Sequence, residues 1–190
     1  MTRYLTLLAF ASISVVSLSA ADLSPAAAAL DRQLKGVEGE VVSLVEAMPD
    51  DKFTFAPTNG EFKGVRTFAQ QAKHIAAVNY QVCAALLGEK SPVEVGSDEN
   101  GPATVQTKAQ VVDLVKKSYE YAHKAIATLT AENLMGNIQD PFGNRQVPRL
   151  TVATVPTWHS FDHYGQMVVY ARMNGIVPPA SRPRPPAAKK

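Results

Sequence analysis

The sequence predicts an all-α fold, a four-helix bundle with long connections, preceded by a signal peptide. Three observations carry that expectation. Four segments repeat apolar residues at steps of three and four, the spacing that gathers them on one side of a helix. Between them lie stretches rich in glycine, proline and asparagine that break the period. No alternating strand pattern of comparable length interrupts the series. The helices are expected near 25–48, 67–87, 107–130 and 155–174.

The first residues read as a targeting signal, residues 1–21. Arg3 supplies the positive end, Leu5 to Val16 the apolar run, and Ser19-Ala20-Ala21 the small residues a signal peptidase needs. The run is shorter than the ~20 apolar residues that cross a bilayer, and Ser12, Ser14 and Ser17 interrupt it. Export to a periplasmic or secreted location is therefore expected, with a mature chain from about Asp22 and no stable membrane span. Cys83 is the only cysteine, so neither a lipid-carrying cysteine at the cleavage region nor an internal disulfide is available. The formal charge of +2 counts Arg3, Arg182, Arg184, Lys189 and Lys190; taking those five away leaves −3 for the body. Such a body offers no nucleic-acid surface.

Ser24-Pro25 marks the first helix start, serine as N-cap and proline in the first helical position. Leu30, Leu34, Val37, Val41, Leu44, Val45 and Met48 then form one stripe, and Pro49 forbids continuation. From Pro49 to Arg66 the period is lost. Phe53 and Phe55 there suit aromatic plugs over one end of the core, or the mouth of a substrate pocket. Thr67 caps the second helix and Gly88 terminates it, with Phe68, Ile75, Val82 and Leu86 inward. Cys83 lies on the side of this helix away from His74 and suits a small packed residue. Residues 88–106 form a long polar connection, which allows two helices to lie parallel.

Thr107 caps the third helix, whose seam runs through Val112, Val115, Tyr119, Ala122, Ile126 and Leu129. His123 stands beside that seam without a partner one turn away, which favours a structural or surface role over a metal ligand. A second irregular connection follows. Its Asp140-Pro-Phe-Gly-Asn144 makes a turn, and the β-branched residues between Gln146 and Val155 suit brief extended pairing. Asn174-Gly175 and Pro178-Pro179 stop the last helix. The basic, proline-rich end, residues 181–190, builds no core and is expected to be disordered, which leaves 22–180 as one domain.

The chemistry concentrates in the last helix. His159 and His163 stand one turn apart on one face, so both imidazoles reach one metal ion. Gln166 and Tyr170 continue that face, as contacts to substrate or to the ligands. Asp162 lies at the edge of the face, either as a catalytic base or as a group that orients its neighbours. Ser160 occupies the position where a His-Glu-x-x-His metalloprotease carries its general base, which excludes that class.

The run His159-Ser-Phe-Asp-His163-Tyr-Gly-Gln166, followed by Tyr170-Ala-Arg172 and Gly175-Ile-Val-Pro-Pro179, resembles the last helix of DinB-like proteins. The likeness extends upstream to Val65 through His74-Ile-Ala, to Asn79-Tyr80 and to Cys83, and loosely covers residues 25–180. It implies a four-helix bundle that holds a divalent ion on three histidines, and thereby names His74 as the third ligand. Relatives of this kind include thiol S-transferases and metal-dependent hydrolases, and they are often dimeric.

Three neutral histidines with an open position describe a catalytic type of site, because structural zinc is closed by four protein ligands. The ion is expected to be zinc or nickel, although imidazole also suits copper and iron. An open position lowers the pKa of water or accepts a thiolate or carbonyl from a small-molecule substrate. The expected function is thus an exported metalloenzyme, a hydrolase or thiol-dependent transferase. Export weighs against the transferase, because small thiol cofactors are mainly cytosolic. The alternative is a non-catalytic metal-binding or scavenging module on the same histidines. On the other side of the last helix, Phe161 and Val168 flank Gly165 and leave an apolar face that needs cover, for which a homodimer is the expected answer.

Overall fold

The computed structural model describes residues 23–183. The signal peptide expected over 1–21 and the tail beyond 183 lie outside the described residues. Four helices are present: α1 over Pro25–Ala47, α2 over Phe68–Leu87, α3 over Lys108–Ala127 and α4 over Arg149–Met173. The first three starts fall where the caps predict. Ser24 accepts from the Ala27 N–H, and Thr67 and Thr107 each close a capping box with the glutamine three residues on. The stops are equally local. Met48 turns extended ahead of Pro49, while Gly88 and Gly175 take the left-handed conformation at φ 68° and 74°.

The fourth start differs from expectation. A short antiparallel hairpin, β1 over Asn137–Gln139 and β2 over Gln146–Pro148, runs directly into α4 at Arg149. The helix thus begins six residues before the expected 155. In the structure Pro156 lies inside the helix, where it forgoes one backbone hydrogen bond. Of the stretch from Gln146 to Val155, Gln146–Pro148 pairs as extended chain, whereas the remainder is helical. Val152, Ala153, Val155 and Pro156 are all buried there. Burial of that many apolar groups, on the order of 1–3 kcal/mol for each large one, exceeds propensity differences below about 1 kcal/mol per residue.

Helices α1 and α2 each pack chiefly on α3 and α4, so the sequence neighbours α1 and α2 stand across a diagonal. Direction follows from the side-chain pairs. Along α2 and α3, Asn79 meets Ser118, Tyr80 stacks near Tyr121, and Glu89 receives the Tyr121 hydroxyl, so the two helices run parallel. The long 88–107 connection makes that possible. Helix α4 runs opposite to α2, with His159 against His74 and Arg149 bonded to the Leu86 carbonyl. Leu34, Leu44, Phe68, Ile75, Tyr119, Ile126 and Met167 fill the shared core. No helix of the described residues is long and apolar enough to cross a membrane.

The 49–67 connection covers the end of the bundle where α2 begins. Phe53 is buried against Phe68, ring centroids 5.5 Å apart, and Phe55 meets Tyr170 edge-on at 5.8 Å. These rings plug the core. The same loop satisfies the free N–H groups of α2: Phe68 donates to the Phe55 carbonyl and Ala69 to that of Phe53, both at 2.9 Å. The beginning of α2 is therefore fully tied down. On the outer face of α4, Phe161 is exposed as expected, but Val168 packs against the core and Val169 takes its place outside. Trp158 and Met173 complete a bare apolar strip with them. Beyond α4, Pro179–Ser181 form a 3-10 turn against α1, and Arg172 donates to the Ser181 hydroxyl.

Candidate metal centre

Helix geometry brings three imidazoles together between α2 and α4. The Thr67 capping box fixes the first turn of α2, which places Gln71 and His74 on the side facing α4. His159 and His163 project back from α4, one turn apart. Their Nε2 atoms converge: 3.2 Å separates those of His159 and His74, and 3.1 Å those of His163 and His159. Among the described residues they are the one group of three ligand side chains that an ion could bridge. His74 and His163 are buried and His159 is half-buried.

The opposite nitrogens decide what those Nε2 atoms present. The His74 Nδ1–H donates to the Glu99 carbonyl at 2.9 Å. His163 Nδ1 meets Gln71 Oε1 at 2.5 Å, Gln71 Nε2 donates to Gln166 Oε1 at 2.9 Å, and Gln166 Nε2 donates to the Asp162 carboxylate at 3.2 Å. A carboxylate only accepts, so this chain has one polarity. Asp162 makes Gln166 donate, Gln166 orients Gln71, and Gln71 takes the hydrogen of His163 Nδ1. The Nε2 atoms of His74 and His163 are left as lone pairs. His159 Nδ1 has no partner and is the loose member of the set.

Electrostatics keep the rings neutral. Burial pushes His159 down to about 3, helped by the neighbouring His163, His74 and the Arg66 guanidinium. His163 falls to about 4, again through burial first and His74 second. His74 is lowered as well, chiefly by burial. Lone pairs converging in such a place repel unless a cation or a shared proton sits among them. A tetrahedral zinc site separates its nitrogens by about 3.3 Å, close to the spacing found here. The residues therefore fit a divalent ion, with Nδ1 partners of the kind that hold metal-ligating histidines in register.

The other expected site residues lie at graded distances from this centre. Gln166 supports it through Gln71 and also lines the adjoining cavity. Asp162 is exposed; its hydrogen-bonded link to the centre runs through Gln166, and its charge also acts on His163. Tyr170 is buried, and its hydroxyl donates to the Arg66 carbonyl, so it steadies the cavity wall rather than a ring nitrogen. Ser160 is buried too and accepts from the Tyr119 hydroxyl at 2.9 Å, where no base could act. Cys83 is fully buried and burial pushes its thiol up, which removes it as a nucleophile.

Three contributors were not singled out from the sequence. Gln71 stands one helical turn before His74, and that spacing was its available signal. Glu99 acts through a backbone carbonyl, which no side-chain pattern reports. It sits at φ 56°, a left-handed conformation costly for a residue with a Cβ. The loop is held in that form by Lys73, whose ammonium donates to the carbonyls of Pro102 and Val105. Arg66 is the third. It lines a cavity of about 510 Å³ beside His163, with Gly64, Val65, Gln71, Asp98, Asn100 and Gln166.

Fold and site together define a four-helix bundle with a three-histidine centre at the α2–α4 seam. The profile of the DinB superfamily matches residues 33–167, and the chain belongs to that family. Solved structures share the fold at low identity. A DinB-like protein from Bacillus cereus ATCC 10987 superposes with a TM-score of 0.62 at 18% identity, covering 79% of this chain and 93% of that one. YjoA, a DinB-like protein of Bacillus subtilis, gives 0.59 at 19%, over 77% and 92%. YfiT of Bacillus subtilis, described as a probable metal-dependent hydrolase with an unusual four-helix bundle topology, gives 0.57 at 16%, over 87% and 94%. No curated protein matches the chain.

Proposed function

We propose that this protein is a metal-dependent enzyme in which His74, His159 and His163 hold one divalent ion, zinc or nickel, and that it acts as a hydrolase or thiol-dependent transferase on a small molecule. The observation that carries the reading is the convergence of three Nε2 atoms, two of them, those of His74 and His163, aimed from behind by Glu99 and Gln71. A divalent ion there supplies Lewis-acid polarisation at an open position. The chain's own residues do the rest. Gln71 and the Glu99 carbonyl hold the lone pairs in place, burial keeps the rings unprotonated, and the cavity beside His163 gives a substrate room to approach. That room favours an enzyme over a scavenging module, which needs an ion site and no more. The name given to YfiT agrees with the hydrolase branch.

The test is elemental analysis of the protein from its native compartment, followed by ester, amide and thiol-transfer assays before and after chelation. Activity that survives complete metal removal would refute the reading. We also propose export, through the signal expected over residues 1–21; a mature N-terminus near Asp22 in the periplasmic or culture fraction is the expected result. The bare strip of Trp158, Phe161, Val169 and Met173 supports assembly as a homodimer through α4. Light scattering should report a dimer at micromolar concentration, and Phe161→Asp should return a monomer with its metal retained.

A further inference from the structure

The cavity beside the histidines holds one unpaired cation. Arg66 Nε donates to Asn100 Oδ1 at 2.8 Å and one of its terminal nitrogens to the Asp98 carbonyl at 2.9 Å. Both acceptors are neutral, so they fix the guanidinium plane without cancelling its charge. No carboxylate of the described residues lies within ion-pair distance of it. The Asp98 carboxylate, on the same wall, is engaged with the backbone and side-chain nitrogens of Asn100. The arginine's backbone is fastened as well, because its carbonyl accepts from the buried Tyr170. Arg66 Nη1 donates to nothing among the described residues. A fork held by neutral partners, half-buried at a cavity wall and charged, is arranged for a planar or tetrahedral oxyanion.

We infer that Arg66 is the specificity-determining residue of this site, and that the substrate carries an oxyanion, carboxylate or phosphate, at the end remote from the three histidines. The inference rests on the metal reading above, and it adds a polarity to the cavity. The reacting end lies toward His163 and the charged end toward Arg66, two groups that line one cavity. Hydrogen bonds to a charged group contribute enough for about tenfold to a hundredfold in affinity when one partner is removed. A neutral substrate leaves the arginine unused and forfeits that factor.

The experiment uses cobalt-loaded full-length protein and matched thiol probes, in which the thiolate binds the ion and the far end is varied. Mercapto-carboxylic acids, their amides and mercaptoalkyl phosphates are titrated by calorimetry, with cobalt absorption reporting thiolate ligation. Uptake of cobalt itself is followed by the fluorescence of Trp158, the chain's only tryptophan, whose ring lies 5.9 Å from that of His159. The wild type should prefer one of the anionic series over the amides by about tenfold or more; the preferred series identifies carboxylate or phosphate. Arg66→Gln should erase the preference while amide affinity and cobalt stoichiometry stay unchanged, and Arg66→Lys should keep part of it. Equal affinity for anionic and neutral probes in the wild type, or a preference that survives Arg66→Gln, overturns the assignment with the metal site intact. Absence of cobalt uptake overturns the metal reading and this inference with it.

Discussion

Two seams of the bundle are built around histidine, and they put it to opposite uses. Between α1 and α3, His123 is clasped by two carboxylates: Nδ1 lies 2.5 Å from Asp31 and Nε2 3.1 Å from Glu38. Lys35 adds a 2.7 Å pair to Asp31. Burial would raise Asp31, yet Lys35 and His123 outweigh it and hold the carboxyl below its usual value. Between α2 and α4, His74 and His163 meet neutral acceptors on Nδ1, His159 Nδ1 has no partner, and the three rings meet one another on Nε2. One residue type thus bridges two carboxylates in the first seam and gathers converging ring nitrogens in the second. The partner of the far ring nitrogen decides which. A carboxylate on both sides leaves neither nitrogen free to face an ion.

The comparison breaks most visibly if the histidines are exchanged for alanine in turn. His74→Ala, His159→Ala or His163→Ala should each cost more metal affinity than the 10–100-fold that follows loss of a supporting partner. Helical circular dichroism should persist. His123→Ala should keep full metal content, and metal retained by all three site variants would erase the distinction.

The next effect is on pH dependence of the metal-free protein. His159 and His163 titrate near 3 and 4 when folded and near 6.5 when unfolded, so between those values the unfolded chain binds more protons. Stability is therefore fully present above about pH 6.5 and falls, by on the order of a few kcal/mol, as pH drops toward 4. Urea titrations across that window check it, and a His159→Ala/His163→Ala double variant should flatten the curve.

Gln71→Leu should lower metal affinity by about 10–100-fold without unfolding α2, because His163 loses the acceptor that aims it. In the other seam, His123→Ala should cost about 1–2 kcal/mol of stability, less than a fully buried pair, since Lys35 still holds Asp31. The smallest effect belongs to Asp162→Asn. It removes only the polarity of an exposed 3.2 Å bond, and a fall in turnover beyond about threefold with metal affinity unchanged would give Asp162 a direct catalytic part.

What was legible in the sequence was local. Ser24, Thr67, Thr107, Gly88 and Gly175 mark the helix ends through interactions a few residues long, and the structure places them there. The pair His159 and His163 is likewise a property of one helix. The α4 start was not, because Pro156 is tolerated inside the helix only through the burial of its neighbours. Gln71 and the Glu99 carbonyl act across residue separations of 92 and 25, where sequence spacing carries no geometry. Val168 and Val169 exchanged sides of the helix for a related reason: a wheel drawn on His159 does not know the tilt at which α4 packs.

The packing of α4 against α2 has a consequence for when the site comes into being. His74 and His159 are 85 residues apart and meet only after α4, the last α-helix of the described residues, has closed against α2. Closing so long a loop carries an entropic cost that the rest of the fold must already offset. Before that closure the chain presents only the local pair His159 and His163 on α4, without the third imidazole of His74. Metal selection becomes a late event, governed by whichever ions surround the chain where folding finishes. For the proposed ion, the surroundings in which folding finishes would then matter as much as the histidines themselves.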